Sequence, residues 1–265
     1  MSAQPHAISA LPGASATASA IGLYARATAG FDKRVAETVA LLRQAAATGA
    51  TTQASSLGAE DMVITHLINA HALPISIFVL ETGALHGETL ALLDQLQAQQ
   101  AMHPHAPLTV YRPVAEAVVQ FITREGADAM VRSIELRKAC CGIRKMEPLA
   151  RALAGKSAWI TGLRREQSGA RAEVPLVDTS EQAPKGLIKF NPLANWTWGD
   201  VWHYIALNQV AYNPLHDQFF PSIGCAPCTR AIAVGEDFRA GRWWWEDEAA
   251  KECGLHVKTK EGAPA

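Results

Sequence analysis

The stretch "TTQASSLGAEDMVITHLINAHALPISIFVL", residues 51–80, decides the fold. Residues 51–56 predict a strand, and the loop that follows leads into a predicted helix. The apolar run at residues 75–80 predicts a second strand. A strand, a helix and a strand in this order form a βαβ unit, in which the two strands run parallel.

The same alternation continues along the chain. We therefore predict an α/β fold with a doubly wound, mostly parallel sheet and helices on both faces. The polar stretch 163–186 predicts a loop, and regular patterns fade after residue 208. The remaining predicted helices are residues 87–99 and 114–126, the second closed by Gly126, and the remaining predicted strands are residues 108–113, 157–162 and 187–193.

Three parts are predicted along the chain. The start is rich in Ala and Ser, and we predict a disordered leader over residues 1–25. This leader lacks a positive start and a continuous apolar stretch, so it does not predict a secretory signal. Residues 26–208 predict an α/β nucleotide-binding domain. Residues 209–265, which contain scattered prolines and three consecutive tryptophans, predict a tail that wraps the domain, closes the cysteine site and carries the catalytic residue.

Composition limits the classes of function. The chain has 265 residues, 49% of them hydrophobic, and a net charge of −1. This suits one sizeable domain and disfavours general nucleic-acid binding, which usually shows a basic stripe. No apolar run approaches the length of a membrane span. Because no export signal is recognised, we expect a cytoplasmic protein whose five cysteines serve metal binding or catalysis rather than disulfides.

Two loops are predicted to border a nucleotide-binding cleft. "SSLGAED", with Ser55, Ser56 and Gly58, could hold an anion against the N-terminus of the following helix. It is not a Walker loop, because the Gly-Lys-Ser/Thr ending is missing, and ordinary turn and cap chemistry is the alternative. "LETG", residues 80–83, follows the next strand and is the second candidate. Its alternative is a turn closed by Gly83.

Four cysteines form two pairs, the adjacent Cys140 and Cys141 and the "CAPC" pair Cys225 and Cys228. Adjacent cysteines make a strained disulfide, whereas four thiolates suit zinc or an iron–sulfur cluster. A Cys-Cys half fits the separated corners of a [4Fe–4S] cluster better than a zinc knuckle. Arg144 and Lys145 would then balance the negative cluster. The alternatives are a zinc site, or small buried cysteines beside an ordinary turn.

The fifth cysteine, Cys253, stands in "KECGLH" near the C-terminus. An exposed thiol near cationic groups can have a lowered pKa and act as a nucleophile. The alternative is an incidental exposed cysteine.

Together these motifs resemble the assimilatory adenylyl-sulfate reductases, relatives of the phosphoadenylyl-sulfate reductases, over about residues 30–256. "SSLGAEDMV" resembles the pyrophosphatase-type phosphate loop of this family, and "LETGALHGETL" resembles its Leu-Asp-Thr-Gly segment with Glu81 in place of the usual Asp. "KACCGIRKMEPL" and "GCAPCTRAI" resemble the two halves of its cluster site. "GRWWWED" and "KECGLH" resemble its substrate-binding and catalytic tail.

The resemblance implies an ATP-pyrophosphatase-like fold, a [4Fe–4S] cluster and a thiol mechanism in sulfate assimilation. The Cys253 thiolate would attack the sulfur of adenosine 5′-phosphosulfate, AMP would leave, and thioredoxin would release sulfite from the S-sulfocysteine. Attack of one anion on another requires positive charge, although a lone Arg is more often a solvated surface residue. The candidate substrate-binding residues are Ser55, Ser56, Gly58, Glu81, Thr82, Gly83, Lys145, Arg171, Arg239 and Arg242.

Three other functions stay open at this stage. A phosphoadenylyl-sulfate reductase would need further basic residues for the 3′-phosphate, and no extra basic cluster is evident in the sequence. An ATP-pyrophosphatase-type tRNA thiolase would bind RNA, which the near-neutral charge disfavours. The third is a non-catalytic, zinc-bound module. We also expect a homo-oligomer that binds neither nucleic acid nor membrane.

Overall fold

The computed structural model of the protein describes residues 19–180 and 187–246. Within these residues the chain forms one six-stranded sheet with the strand order β3-β2-β1-β4-β6-β5. All neighbouring strands are parallel except β5, which is antiparallel to β6. The strands are β1 (Thr51–Ser55), β2 (Ser76–Leu80), β3 (Leu108–Tyr111), β4 (Ala158–Ile160), β5 (Val177–Asp178) and β6 (Ile188–Phe190).

Local sequence explains several helix ends. Ser133 caps one helix by accepting a hydrogen bond from the Leu136 N–H, and Gly126 ends another with a φ of 89°. The described helices are α1 (Ala20–Tyr24), α2 (Phe31–Ala47), α3 (Ala59–Ala70), α4 (Gly87–Gln100), α5 (Ala115–Glu125), α6 (Ile134–Cys141), α7 (Glu147–Leu153) and α8 (Trp198–Asn208). A π-helical turn, Gly142–Met146, joins α6 to α7.

The two faces of the sheet are both covered by helices. Because successive side chains of a strand point to opposite faces, Ile77 and Val79 pack into the core formed with α2, α3, α4 and α8. Phe78, between them in sequence, packs with Leu149 and Ala152 of α7 on the other face. The predicted α/β class, with helices on both faces of a mostly parallel sheet, is confirmed.

Two expectations differ from the structure. The stretch 163–186, predicted as a loop, contains the edge strand β5, which is too short to show an alternating pattern. The prediction of disorder is wrong for Ala20–Tyr24, because this segment is helical and Ala20 is buried and donates its N–H to Asp217 Oδ1 at 2.6 Å. Residues 1–18 of the predicted leader lie outside the described residues.

The segment that follows α8 has little regular structure in its described part. Between residues 209 and 246 it contains short 3₁₀ turns and isolated bridges, but no α-helix or ladder. None of the helices in the described ranges is long and apolar enough to cross a membrane.

The order of strands locates the place where a ligand would bind. The chain moves outward from β1 through β2 to β3 and then returns to place β4 on the other side of β1. Ligands of open α/β sheets bind beyond the carboxyl ends of the strands where the order reverses. The loops that follow β1 and β4 lie at that point.

Candidate active site

A cavity of about 210 Å³ opens at the carboxyl ends of β1, β2 and β4. The predicted phosphate loop forms one side, the residues after β4 form another, and the segment 221–243 covers it. Most of the predicted substrate-binding residues meet in this cavity, here called the nucleotide cavity after the ligand that the sequence predicts: Ser55, Ser56, Gly58, Thr82, Lys145, Arg171, Arg239 and Arg242 all line it.

The phosphate loop is held by a carboxylate from its own helix. Both the N–H and the hydroxyl of Ser56 donate to Asp61 Oδ2, at 2.7 and 2.6 Å, and Leu57 adopts a φ of 62°. Burial raises the pKa of Asp61 to about 6, against the hydrogen bonds from Ser56, which lower it. Gly162, after β4, packs so closely that a Cβ there would lie 2.4 Å from Asp61 Oδ1. A glycine is therefore required where the two loops meet.

The cationic residues of the segment that follows α8 are fixed by packing. The Arg242 guanidinium lies 4.7 Å from the centre of the Trp243 ring and donates to the Ile223 carbonyl at 3.2 Å. A Cβ on Gly224 would stand 2.4 Å from this guanidinium, so a larger residue at position 224 would displace Arg242 from its place at the cavity wall. Arg239 is buried as well. Buried cations at a cavity wall are suited to an anionic ligand.

The residues of the second predicted loop, 80–83, face different surroundings. Thr82 lines the nucleotide cavity, whereas Glu81 turns away and pairs with Arg112 at 3.1 Å. The Gly83 N–H donates to Glu81 Oε1 at 2.6 Å, and Gly83 has a φ of 69°, as its predicted turn requires. Gly83 borders a different cavity from Thr82. A substrate-binding role for Glu81 and Gly83 stays a prediction that this geometry does not favour.

That different cavity, of about 230 Å³, is the cysteine cavity. Cys140 and Cys141 reach it from the end of α6, and Cys225 and Cys228 reach it from the turn that contains Ala226–Cys228. All four are free thiols. The structure thus brings together two pairs that lie far apart in sequence.

Four cysteines at one cavity could hold a zinc ion or an iron–sulfur cluster. A single zinc ion draws its sulfur ligands to about 2.3 Å. Among the described residues, no three His, Cys, Asp or Glu side chains are arranged to hold a single metal ion. The four cysteines line one cavity, and Arg144 and Lys145 line it as well. Four thiol donors that line one cavity beside two cationic side chains match the donor set of a negatively charged iron–sulfur cluster.

Burial raises the pKa values of two of the four thiols. Burial raises the pKa of the Cys228 thiol to about 11, and the neighbouring Cys225 acts in the same direction. Burial also raises the pKa of Cys140, against the lowering effect of Arg144. Without bound metal these thiols are therefore protonated at neutral pH, and metal binding would release their protons.

The two cavities share a wall formed by Lys145 and Trp243, both of which line each of them. Two guanidinium groups lie near the Trp243 ring. Arg137, which lines the cysteine cavity, is 4.5 Å from the ring centre, and Arg242, which lines the nucleotide cavity, is 4.7 Å from it. Arg137 also forms a buried ion pair with Glu246. Cationic groups therefore lie on both sides of the boundary between the cavities.

Several polar residues of the nucleotide cavity were missed by reasoning from the sequence. Glu60, Asp61, Gln167 and His216 all line it. Glu60 and Asp61 belong to the quoted "SSLGAED" stretch, whereas Gln167 and His216 have no distinctive spacing around them. Only their position beside the predicted loops could have indicated a role. Cys253, the predicted nucleophile, lies outside the described residues, so the structure does not place it.

Residues 50–231 match the phosphoadenosine phosphosulfate reductase domain. The chain is 53% identical over 211 residues to the adenosine 5′-phosphosulfate reductase of Allochromatium vinosum, covering 80% of this chain and 79% of the relative. It is 50% identical over 212 residues to the enzyme of the same name from Burkholderia cepacia, covering 80% and 82%.

Two solved structures share the fold. The phosphoadenylyl-sulfate (PAPS) reductase of Candida auris, in a phosphate complex, has a TM-score of 0.60 and 25% identity, covering 76% of this chain and 98% of that one. The FMN adenylyltransferase of Candida glabrata, with FAD and inorganic pyrophosphate, has a TM-score of 0.52 and 12% identity, covering 92% and 85%. At that identity the second likeness concerns the fold alone.

Proposed function

The chain belongs to the phosphoadenosine phosphosulfate reductase family, and from this membership we infer that it reduces adenosine 5′-phosphosulfate to sulfite and AMP. It is an oxidoreductase that acts on a sulfur group. We further propose that the reaction passes through an S-sulfocysteine on Cys253, with thioredoxin as the electron donor.

One observation carries this proposal beyond the resemblance. The nucleotide cavity and the cysteine cavity are neighbours, and Lys145 and Trp243 belong to the walls of both. A phosphate loop, buried cations and four cysteines are thus gathered within one region of the molecule. That combination suits a nucleotide that carries a strongly anionic group.

The chemistry requires the chain to bring two anions together. The Cys253 thiolate would form a bond to the sulfur of the substrate while the bond from that sulfur to the AMP oxygen breaks. Lys145, Arg239 and Arg242, all on the cavity wall, would offset the charge that accumulates. A thiolate of thioredoxin then attacks Cys253 Sγ, which releases sulfite with the electron pair of the broken S–S bond and leaves a mixed disulfide. The second thioredoxin cysteine attacks this mixed disulfide, so Cys253 returns as a thiolate and thioredoxin ends as a disulfide.

Cys140, Cys141, Cys225 and Cys228 would hold a [4Fe–4S] cluster beside this region. When bound, the cluster would supply a fixed charge and a covalent link between α6 and the segment that follows α8. The thiol exchange already accounts for both electrons, so no electron has to pass through the cluster. Arg144 would lie next to it, donating to the Thr82 carbonyl at 2.6 Å.

We propose the unphosphorylated nucleotide as substrate. The cationic residues that line the nucleotide cavity within the described ranges are Lys145, Arg171, Arg239 and Arg242. The phosphosulfate group would engage these side chains, leaving little positive charge for a 3′-phosphate. The tRNA thiolase and zinc-module alternatives gain no support from relatives named for sulfonucleotide reduction.

The test is an anaerobic assay of the purified full chain with adenosine 5′-phosphosulfate and reduced thioredoxin. Sulfite and AMP should appear in equal amounts. Formation of AMP without sulfite, or no reaction with either sulfonucleotide, would overturn the proposal.

A further inference from the structure

Gln167 lies between two oppositely charged residues on the wall of the nucleotide cavity. Its Oε1 accepts a hydrogen bond from Arg171 Nη1 at 2.6 Å, and its Nε2 donates to Glu60 Oε1 at 2.9 Å. Both bonds are buried, and all three residues line the cavity. An uncharged amide therefore stands where a direct ion pair could otherwise form.

The orientation of this amide is fixed by two further contacts. Gln167 Oε1 also accepts from the Arg164 N–H at 3.1 Å, and Nε2 also lies 3.4 Å from the Gly162 carbonyl. A flipped amide would turn its NH₂ group toward two donors and its oxygen toward a carboxylate and a carbonyl. Only one orientation satisfies all four neighbours.

Glu60 has its own counter-charge. The fully buried Arg164 donates from Nε to Glu60 Oε1 at 2.9 Å, and its Nη1 lies 2.7 Å from Glu166 Oε2. The carboxylate of Glu60 is thus neutralised without a direct pair to Arg171. Because charges attract strongly in a poorly solvated wall, loss of the amide between Glu60 and Arg171 would draw the two together.

We propose that Gln167 is a positioning residue, which holds the Arg171 guanidinium toward the nucleotide and keeps it from pairing with Glu60. This inference rests on the proposed function, since it takes the ligand to be a sulfonucleotide. Arg164 neutralises Glu60, and Gln167 directs Arg171. The two arginines of one loop therefore serve different purposes, although the sequence presents them alike.

The test measures binding of adenosine 5′-phosphosulfate by calorimetry in the full chain carrying Cys253→Ser, which prevents turnover. Gln167→Leu should raise Kd about tenfold, the loss expected for a hydrogen bond to a charged group. Arg171→Ala should weaken binding at least as much. The double variant should bind no more weakly than Arg171→Ala alone, because Gln167 acts through Arg171.

Gln100→Leu is the matched control. Gln100 is another buried glutamine, bonded to Asn69 and to the Ala106 carbonyl at the end of α4, away from both cavities. It should leave Kd unchanged, even if both glutamine changes lower Tm equally. Gln167→Met, which fills a similar volume, is measured in parallel so that one folded variant remains.

The outcomes separate the two claims. Unchanged Kd in the Gln167 variants, or a loss that persists in full on the Arg171→Ala background, would overturn the positioning role. If the Cys253→Ser parent itself does not bind the sulfonucleotide, the proposed function is wrong instead.

Discussion

Leu85 forms an antiparallel bridge with Cys225, and this contact joins the loop after β2 to the second cysteine pair. The bridge is extended by a hydrogen bond of 2.7 Å from the Ala226 N–H to the Ala84 carbonyl. Thr82 of the same loop lines the nucleotide cavity and places its Oγ1 3.3 Å from Cys225 Sγ. The positions of the cysteines and of the nucleotide wall are therefore mechanically linked.

This linkage predicts that the cluster and the activity are lost together. Replacing Cys140, Cys141, Cys225 or Cys228 singly by Ser should remove both iron and sulfite production, because metal binding is part of folding in such sites. Iron and acid-labile sulfide are measured on anaerobically purified protein. Cys253→Ser is the control and should keep its iron. Zinc without labile sulfide in the wild type would disprove the cluster.

Cys253→Ser should abolish sulfite release while nucleotide binding remains, because a hydroxyl is a far poorer nucleophile than a thiolate at neutral pH. The wild type mixed with substrate, but without thioredoxin, should accumulate a sulfonate adduct on Cys253. Peptide mass spectrometry locates the adduct. An adduct on Cys225 or Cys228 would assign the nucleophile elsewhere.

Lys145→Ala should keep most of the iron but lower kcat by about 100- to 1000-fold, the usual effect of removing one group that stabilises transition-state charge. Lys145 belongs to the walls of both cavities, so its charge lies at the boundary between them. Lys156→Ala is the control, because Lys156 lies at the opposite end of β4, near Ser76. A wild-type rate in Lys145→Ala would return this lysine to a surface role.

The preference between sulfonucleotides is the fourth prediction. The kcat/KM for adenosine 5′-phosphosulfate should exceed that for the 3′-phosphorylated form at least about 100-fold, or ~2.7 kcal/mol in transition-state binding. The reason is that a 3′-phosphate dianion would be desolvated without enough cationic partners. Both values are measured with the same thioredoxin. Equal values would show that the 3′ position is tolerated.

The fifth prediction concerns pH and His216. Burial against Trp198 and Trp202 lowers the pKa of His216 to about 4, although Glu60 and Asp217 favour its protonated form, as does the main chain of Phe220. Neither ring nitrogen makes a hydrogen bond of normal geometry. Because the unfolded chain binds a proton near pH 6.5 and the folded chain does not, this group stabilises the fold above pH 6.5 and destabilises it as pH falls toward 4.

Between pH 7.5 and pH 5, the unfolding free energy of the wild type should therefore fall by about 2 kcal/mol more than that of His216→Gln. Urea unfolding at both pH values measures the difference. His203→Gln is the control, since His203 also packs on an aromatic ring, at 4.9 Å from that of Phe31. Parallel pH dependence in wild type and His216→Gln would mean that His216 is accessible to protons in the folded state.

Local patterns were sufficient for the five parallel strands and for helices α3, α4 and α5. Alternating strands and helices predicted the parallel sheet, and glycines such as Gly83 and Gly126 marked turns, because these signals depend on neighbours in sequence. The edge strand β5 was missed because two residues carry no periodicity. Helix α1 was missed because its order comes from packing against α8, far along the chain.

The sequence by itself identified the kinds of side chain at the site: four paired cysteines, a serine and glycine loop, and several cations. It could not tell which cation does what. Only the tertiary structure shows that Arg164 pairs with Glu60, whereas Arg171 bonds to Gln167. It also shows that Lys145 lines both cavities. Residue types can be read directly from the chain. Burial and charge pairing depend on which distant segments pack against each other, because that packing removes water and strengthens the interactions between charges.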